Sequence, residues 1–177
     1  MIYTGIGSRE TPTVVLNLIH MIGQVMAKRG HILRSGHANG ADLAFELGCI
    51  AANGTKEIYL PWKGFNREAP YVGDGYMTPQ LPVETYEIAA KFHPAWNRCS
   101  NGAKSLHARN VCQILGAKLD TITNGVICWT KDGKRGGGTG QALRIATAYN
   151  VPIWDLGLEK DTRNICEHLD IPHFYAR

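Results

Sequence analysis

The chain has no long apolar run, and this absence argues against one class of protein. No stretch approaches the ~18 consecutive apolar residues that a membrane-spanning helix needs, although 44% of the 177 residues are hydrophobic. The sequence also opens directly on a strand-like segment, without the pattern of a signal peptide. We therefore expect a cytoplasmic protein that makes no membrane contact.

The chain also has little excess of charge of either sign. Lys and Arg number 19 and Asp and Glu number 15, which gives a formal net charge of +4. This bias suits an anionic ligand, but a dedicated binder of duplex DNA carries a stronger basic face.

Paired cysteines of the C-x-x-C type are missing as well. The odd number of cysteines and their mostly apolar context predict reduced, buried thiols: Cys49, Cys99, Cys112, Cys128 and Cys166. Two of these, Cys99 and Cys112, lie near His93 and His107, but the spacing is not that of a structural zinc site. We expect core cysteines and hydrogen-bonded histidines there, and no metal.

What the sequence does contain is a regular alternation of strand-like and helix-like segments. Strands are predicted at 1–5, 31–35, 57–61, 125–130 and 151–156, and helices at 12–29, 41–53, 83–92, 103–115, 140–149 and 160–169. Thr11 is predicted to cap the first helix, with Pro12 as its first residue. The alternation predicts an α/β fold of Rossmann-like type, with a largely parallel sheet flanked by helices in one domain over 1–177.

Residues 62–82 interrupt this alternation. The stretch is rich in glycine, proline and aromatic residues, and loops of this length are often functional. We expect an insertion or lid loop. Its aromatic residues either pack under the loop or stack on a base: Trp62, Phe65, Tyr71 and Tyr76.

Three of the strand-to-helix junctions are rich in glycine: "GIGSRE", "SGHANGAD" and "KRGGGTGQ". If the strands are parallel, all three junctions lie at one edge of the sheet, where α/β proteins bind ligands. Helix N-termini offer free N–H donors to a phosphate group, and glycines let the backbone approach it. The candidate ligand-binding residues in these junctions are Gly5, Gly7, Ser8, Arg9, Ser35, Gly36, Asn39, Gly40, Asp42, Lys134, Arg135, Gly136, Gly137, Gly138 and Thr139.

Some of these residues have individual roles in the hypothesis. Lys134 and Arg135 add positive charge, and Thr139 acts as a helix cap or donates its hydroxyl to a phosphate. Asp42 stabilises a helix N-terminus or binds a ribose hydroxyl. The alternative is that the glycines only permit tight turns.

Established nucleotide and hydrolase motifs are absent. The chain has neither a complete G-x-G-x-x-G nor a P-loop. Without a G-x-S-x-G motif, Ser35, His37 and Asp42 cannot be presumed to form a hydrolytic triad.

Four ordered stretches resemble a known superfamily. "TGIGSRETP" and "ILRSGHANGADLAFELG" resemble the start of the DprA-type Rossmann-like domain, with its G-S-R and S-G-x-A-x-G-x-D signatures. "HPAWNRCSNGAKSLHARNVCQILGA" and "GGGTGQALRIATAYNVPIW" are similar to YspA-type and LOG proteins, which carry an R-N motif on a helix and a G-G-x-G-T-type loop. Together these families form the SLOG superfamily, and the resemblance covers the chain from Tyr3 to about Leu156.

The resemblance implies a sheet that binds nucleotides, nucleotide derivatives or single-stranded DNA. It adds Arg109 and Asn110 to the predicted pocket and implies a homo-oligomer. In LOG enzymes, which hydrolyse the N-glycosidic bond of nucleoside monophosphates, a Glu three residues after the loop Thr assists cleavage. Here that position is Ala142, and Gly138 runs directly into Thr139 without the residue that the motif places between them.

Cleavage through an oxocarbenium-like state needs a carboxylate at the sugar, for which Glu10, Asp42 or Glu46 are conceivable substitutes. We therefore expect a protein that binds a nucleotide or nucleotide-derived phosphate ligand, as a sensor or a sequestering protein. Hydrolysis of nucleoside 5'-monophosphates and DprA-like binding of single-stranded DNA are the alternatives. No catalytic residue and no cofactor are predicted.

Overall fold

The computed structural model describes residues 1–67, 76–77 and 81–172. Within them the strands are β1 (Ile2–Gly7), β2 (Ile32–Ser35), β3 (Lys56–Tyr59), β4 (Tyr76–Met77), β5 (Val126–Trp129) and β6 (Ile153–Asp155). The α-helices are α1 (Thr13–Lys28), α2 (Ala41–Ala51), α3 (Val83–Lys91), α4 (Asn101–Leu115), α5 (Gly137–Ala148) and α6 (Glu159–Leu169). Among the described helices, none has both the length and the apolar character needed to cross a bilayer.

The six strands form one sheet in the order β4-β3-β2-β1-β5-β6, and all neighbouring strands are parallel. In the register, Thr4 of β1 lies opposite Arg34 of β2 on one side and Val126 of β5 on the other. The predicted α/β fold with a parallel sheet is confirmed. The strand order reverses between β1 and β5, so a crevice opens there at the carboxyl ends of the strands.

Helices cover both faces of the sheet, as a fully parallel sheet requires. α1 packs against α2 and α6 on one face, and α4 packs against α3 and α5 on the other. Alternate residues of a strand point to opposite faces, so Ile127 joins the core under α1 and α2 whereas Val126 and Cys128 join the core under α4 and α5.

Two predicted helix starts are wrong. α1 has Pro12 as its N-cap, while the hydroxyl of Thr11 donates to the carbonyl of Ser8 at 2.7 Å instead of capping the helix. α5 begins at Gly137, with Gly136 as its N-cap. Because Gly137 adopts a left-handed φ of 60°, which glycine does without strain, the chain turns into the helix early. Thr139 is therefore inside the first turn and is not the cap.

Regular structure also occurs within the predicted insertion at 62–82. Phe65–Arg67 form a short 3-10 helix, and β4 pairs with β3. Phe65 is buried in the core, and its ring meets that of the exposed Trp62 edge-on at 5.2 Å. Phe65 thus serves packing, whereas Tyr71 and the side chain of Tyr76 lie outside the described residues. The role of this stretch as a lid stays a prediction.

Candidate functional site

A cavity of about 560 Å³ opens where β1 and β5 end. Its wall comes from the segment after β1, the start of α2, one face of α4 and the segment between β5 and α5. Eleven of the seventeen predicted binding residues line this cavity: Gly7, Ser8, Arg9, Asp42, Arg109, Asn110, Lys134, Gly136, Gly137, Gly138 and Thr139. The three glycine-rich junctions do meet at one edge, but they contribute unequally.

The segment after β1 is fixed to the start of α2. The backbone N–H of Gly7 donates to Oδ1 of Asp42 at 3.0 Å, and a Cβ at position 7 would lie 2.6 Å from Cβ of Ala41. Gly5 is not part of the cavity wall, because its missing side chain makes room for the ring of Phe45. Ser8 then turns the chain, with its hydroxyl accepting from the N–H of Glu10 at 3.0 Å.

The junction between β2 and α2 lies behind the cavity wall and supports it through hydrogen bonds and packing. The hydroxyl of the fully buried Ser35 donates to the carbonyl of Gly5 at 2.7 Å, and Gly36 accepts from the guanidinium of Arg109. Gly40 caps α2 with a left-handed φ of 87°, and Asn39 accepts from the side chain of Asn66. Ser35, Gly36, Asn39 and Gly40 therefore lie outside the cavity wall, with roles in packing and chain reversal.

No hydrolytic triad forms at this junction. The imidazole of His37 pairs with the carboxylate of Glu46 at 2.8 Å, with both side chains buried. The hydroxyl of Ser35 is occupied with the Gly5 carbonyl. Glu46 is therefore held away from the cavity and is not a substitute for a cleaving carboxylate.

The segment before α5 presents backbone to the cavity. A Cβ built at Gly136, Gly137 or Gly138 meets no atom within 4 Å, so the packing of the chain does not exclude a side chain at these positions. The first N–H groups of a helix have no intrahelical acceptor, and no side chain caps this helix. Lys134 lines the same wall, whereas the exposed Arg135 does not.

Arg109 lines the cavity, but its guanidinium is hydrogen-bonded to backbone carbonyls behind the cavity wall. Its side chain is buried, and one guanidinium nitrogen donates to the carbonyls of Gly36 and Tyr59, the latter at 3.2 Å. Burial lowers the pKa of Arg109, and the carboxylate of Asp42 opposes this effect. Arg109 therefore ties the ends of β2 and β3 to α4.

Asn110 connects α4 to the glycine segment. Its amide nitrogen donates to the carbonyl of Gly138 at 3.2 Å and to Oε1 of Gln141 at 3.1 Å. This contact holds the N-terminus of α5 against α4 at the cavity wall.

Asp42 is the most perturbed carboxyl of the cavity wall. Burial raises its pKa to about 6, while Arg109 and the N–H of Gly7 act in the opposite direction. A carboxyl whose pKa is raised by burial at a cavity wall is a candidate for proton transfer or ligand binding.

The cavity wall also includes polar residues that were not among the predicted binding residues. Thr130, Lys131, His107, Gln113 and Glu10 all line it. Thr130 directly follows β5 as Ser8 follows β1, so its place at the carboxyl end of a central strand was the signal that pointed to it. His107 and Gln113 lie within α4, and nothing in the local sequence indicated that they line the cavity.

The cavity wall is more basic than acidic. Arg9, Lys131 and Lys134 line it in addition to Arg109, against the two carboxyls Glu10 and Asp42. Lys134 is exposed and pairs with Asp132 at 3.3 Å. Ala142, where LOG enzymes have their Glu, is a buried part of the wall.

The sequence predicts that His93 and His107 are hydrogen-bonded, and the structure shows this only in part. Nδ1 of His93 accepts from the backbone N–H of Ala95 at 3.1 Å. Nδ1 of His107, however, is buried and has no hydrogen-bond partner among the described residues. His93, Cys99 and His107 come together, whereas Cys112 is not part of this group.

Sequence comparison and structure comparison give different results for this chain. No protein-family model matches it, and no curated protein sequence does either. Solved structures match its fold. The molybdenum cofactor carrier protein of Chlamydomonas reinhardtii is 18% identical with a TM-score of 0.54, over 96% of this chain and 83% of that one.

DNA processing protein A provides the second match. The Helicobacter pylori protein, whose structure describes a single-stranded DNA binding mode, is 17% identical with a TM-score of 0.53, over 97% of this chain and 74% of that one. The Streptococcus pneumoniae protein is 14% identical with a TM-score of 0.52, over 94% of this chain and 56% of that one. The chain therefore shares its Rossmann-like α/β fold with the molybdenum cofactor carrier protein and with DNA processing protein A.

Proposed function

We propose that the protein binds a nucleotide or a nucleotide-derived phosphate ligand in the cavity between β1 and β5, as a sensor or a sequestering protein. Gly136 and Gly138 carry this proposal. Neither has a left-handed φ, and neither would bring a Cβ within 4 Å of another atom. Gly138 lies inside α5, where glycine lowers helix stability by roughly 0.5–1 kcal/mol relative to alanine, so a ligand that needs the open space beside Gly136 and Gly138 accounts for it.

The chemistry of the wall supports an anionic ligand. The N-terminus of α5 presents free N–H groups and the positive end of the helix dipole to the cavity. Arg9 and Lys131 add positive charge at the same edge. The similarity in fold to a molybdenum cofactor carrier protein and to a protein with a single-stranded DNA binding mode is in line with a binding role.

The test is a thermal-shift panel of nucleoside monophosphates, cyclic nucleotides and ADP-ribose derivatives. It is run on the wild type and on the variants Gly138→Ala and Gly102→Ala. A ligand at 100 times its Kd stabilises the native state by ~2.7 kcal/mol, which raises Tm by roughly 5–10 °C for a chain of this size. We expect Gly138→Ala to lose this shift. Its matched control is Gly102→Ala, because Gly102 is likewise the second residue of a helix with open space around it.

Both variants are expected to unfold at a slightly higher temperature than the wild type without ligand, since alanine favours the helix. Only Gly138→Ala is expected to lose ligand. A wild-type Tm that no member of the panel changes contradicts the proposal, as does an equal ligand shift in both variants.

Hydrolysis of nucleoside 5'-monophosphates is the second candidate, and Asp42 is the observation in its favour. A buried carboxyl with a pKa of about 6 at a ligand cavity is suited to general acid or base catalysis. Ala142 argues against it, because the position of the cleaving Glu has no carboxylate. Chromatography of each stabilising nucleotide decides between the two: release of free base supports hydrolysis, and intact nucleotide supports binding alone.

Single-stranded DNA remains a third ligand class. Binding that depends strongly on salt, observed with oligonucleotides and with no mononucleotide, would replace the small-molecule proposal.

A further inference from the structure

We propose that His93, Cys99 and His107 form a binding site for a divalent transition-metal ion of the zinc class. One ligand atom from each of the three side chains lies within 4.8 Å of the other two. Two imidazoles and one thiol are a donor set that zinc uses, and three protein ligands leave a fourth position open to water. This proposal is independent of the proposed nucleotide binding.

The distances between the donor atoms are close to those of a metal site. In a tetrahedral zinc site with Zn–S of ~2.3 Å and Zn–N of ~2.1 Å, neighbouring donor atoms are ~3.3–3.6 Å apart. Sγ of Cys99 lies 3.7 Å from Nδ1 of His93, and the donor atoms of all three residues lie within 4.8 Å of one another. Side-chain movements of about 1 Å bring donor atoms that are up to 4.8 Å apart to the spacing of a zinc site.

The protonation state of His93 also suits a ligand. A ring nitrogen that accepts a hydrogen bond from an N–H is unprotonated, so Nδ1 of His93, which accepts from Ala95, carries the lone pair that a metal needs. A bound ion would take the place of this hydrogen bond.

His107 is the second, independent observation. The His107 residue is 9% exposed, and its imidazole interacts with the side chain of Gln141, but its Nδ1 is buried without a hydrogen-bond partner among the described residues. A buried polar atom without a partner is costly, and a metal ion at this cluster would satisfy it. From the sequence we expect no metal here, because the spacing is not that of a structural zinc site. The three residues come from the segment after α3, the segment before α4 and α4 itself.

The surroundings shape what the site can hold. The indole of Trp96 lies 6.3 Å from the ring of His93 and 6.5 Å from that of His107, which places an apolar wall beside the cluster. Arg144 lies beside His107, but its guanidinium donates to the carbonyl of Phe92 at 2.7 Å. The thiolate of Cys99 cancels one of the two positive charges of the ion, which leaves a net charge of +1 at the site beside Arg144.

The cluster also separates two cavities. His107 lines the cavity between β1 and β5, and His93 lines a second cavity of about 560 Å³ next to Trp96. Water in these two cavities can therefore reach the two histidines.

The test uses the full chain, freed of metal by chelation and dialysis and then titrated with Co²⁺. We expect one ion per chain and a near-ultraviolet thiolate-to-cobalt charge-transfer band, which Zn²⁺ displaces. Cys99→Ser is expected to abolish the band, and His93→Gln to weaken Co²⁺ binding at least about tenfold. Burial raises the pKa of the other four thiols, so the band reports on Cys99.

The matched control is His168→Gln, which removes an exposed imidazole on α6 and is expected to bind Co²⁺ like the wild type. Circular dichroism verifies that each variant is folded, and Cys99→Ser is the conservative change on which the outcome depends. The proposal is overturned if the folded wild type binds no Co²⁺, if it binds Co²⁺ without the band, or if Cys99→Ser keeps the band.

Discussion

The hydroxyl of Thr130 donates a 2.5 Å hydrogen bond to the buried carboxylate of Asp155. The other oxygen of Asp155 accepts from the backbone N–H groups of Thr130, at 2.9 Å, and Gly157, at 3.0 Å. The Thr130 hydroxyl in turn accepts from the N–H of Arg135 at 3.2 Å. Asp155 thus fixes the segment that leads into the glycines of α5, although it does not line the cavity itself.

This network predicts the effect of Asp155→Asn. The amide keeps one acceptor but places an NH₂ group where a carboxylate oxygen accepts, so we expect the free energy of unfolding to fall by roughly 1–3 kcal/mol. Urea denaturation measures it. The control Asp132→Asn changes an exposed carboxylate of the same segment, for which a change within about 0.5 kcal/mol is expected. Equal losses in the two variants would contradict the role of Asp155.

Two serines of the predicted site are expected to have different roles: one contributes to stability and the other to ligand binding. Ser35 is buried and donates to the Gly5 carbonyl, so Ser35→Ala is expected to lower the free energy of unfolding by about 1–2 kcal/mol with unchanged ligand affinity. Ser8 lines the cavity, so Ser8→Ala is expected to weaken ligand binding with little loss of stability. Parallel urea denaturation and ligand titration check both, and the reverse pattern would show that the assignment of the two serines is wrong.

We expect Arg109 to contribute mainly to the stability of the fold. Arg109→Ala leaves the carbonyls of Gly36 and Tyr59 without their donor and removes the cation near the buried Asp42. A loss of roughly 1–3 kcal/mol in the free energy of unfolding is expected for each buried carbonyl left without its donor. Arg98→Ala, at an exposed position, is the control and is expected to be nearly neutral. A fully stable Arg109→Ala variant would contradict this interpretation.

The pKa of Asp42 predicts a pH dependence of stability. Folding raises this pKa from 3.8 to about 6, so the native state binds the proton more tightly than the unfolded chain. The resulting stabilisation is complete below pH 3.8 and is lost as the pH rises through 6, a difference of roughly 3 kcal/mol. Urea denaturation between pH 3.5 and about 7 measures this slope.

The comparison variant is Asp42→Asn, whose amide oxygen can still accept from the N–H of Gly7. We expect it to lack this part of the pH dependence, whereas Asp120→Asn, at an exposed position, keeps it. A wild-type slope that persists in Asp42→Asn would assign the titration to another group.

The sequence by itself determined the fold and the general position of the site. Apolar periodicity and glycine or proline at segment ends report on local backbone geometry, so the strands and helices were predictable to within a few residues. Parallel strands then bring Ser8, Asp42 and Gly138 to one edge without further information. The predicted starts at Thr11 and Gly140 failed because glycine and proline permit more than one way into a helix.

Only the tertiary structure decided which of these residues face the cavity. Gly36 and Gly138 look alike in sequence, yet a Cβ at Gly36 would collide with Arg109, whereas one at Gly138 meets nothing. The pKa of Asp42 likewise depends on burial beside Arg109, which comes from a helix distant in the chain. The meeting of His93 with Cys99 and His107 depends on the path of the chain between α3 and α4. Burial, charge proximity and side-chain contact arise from the packing of such elements, and local sequence patterns carry no information about it.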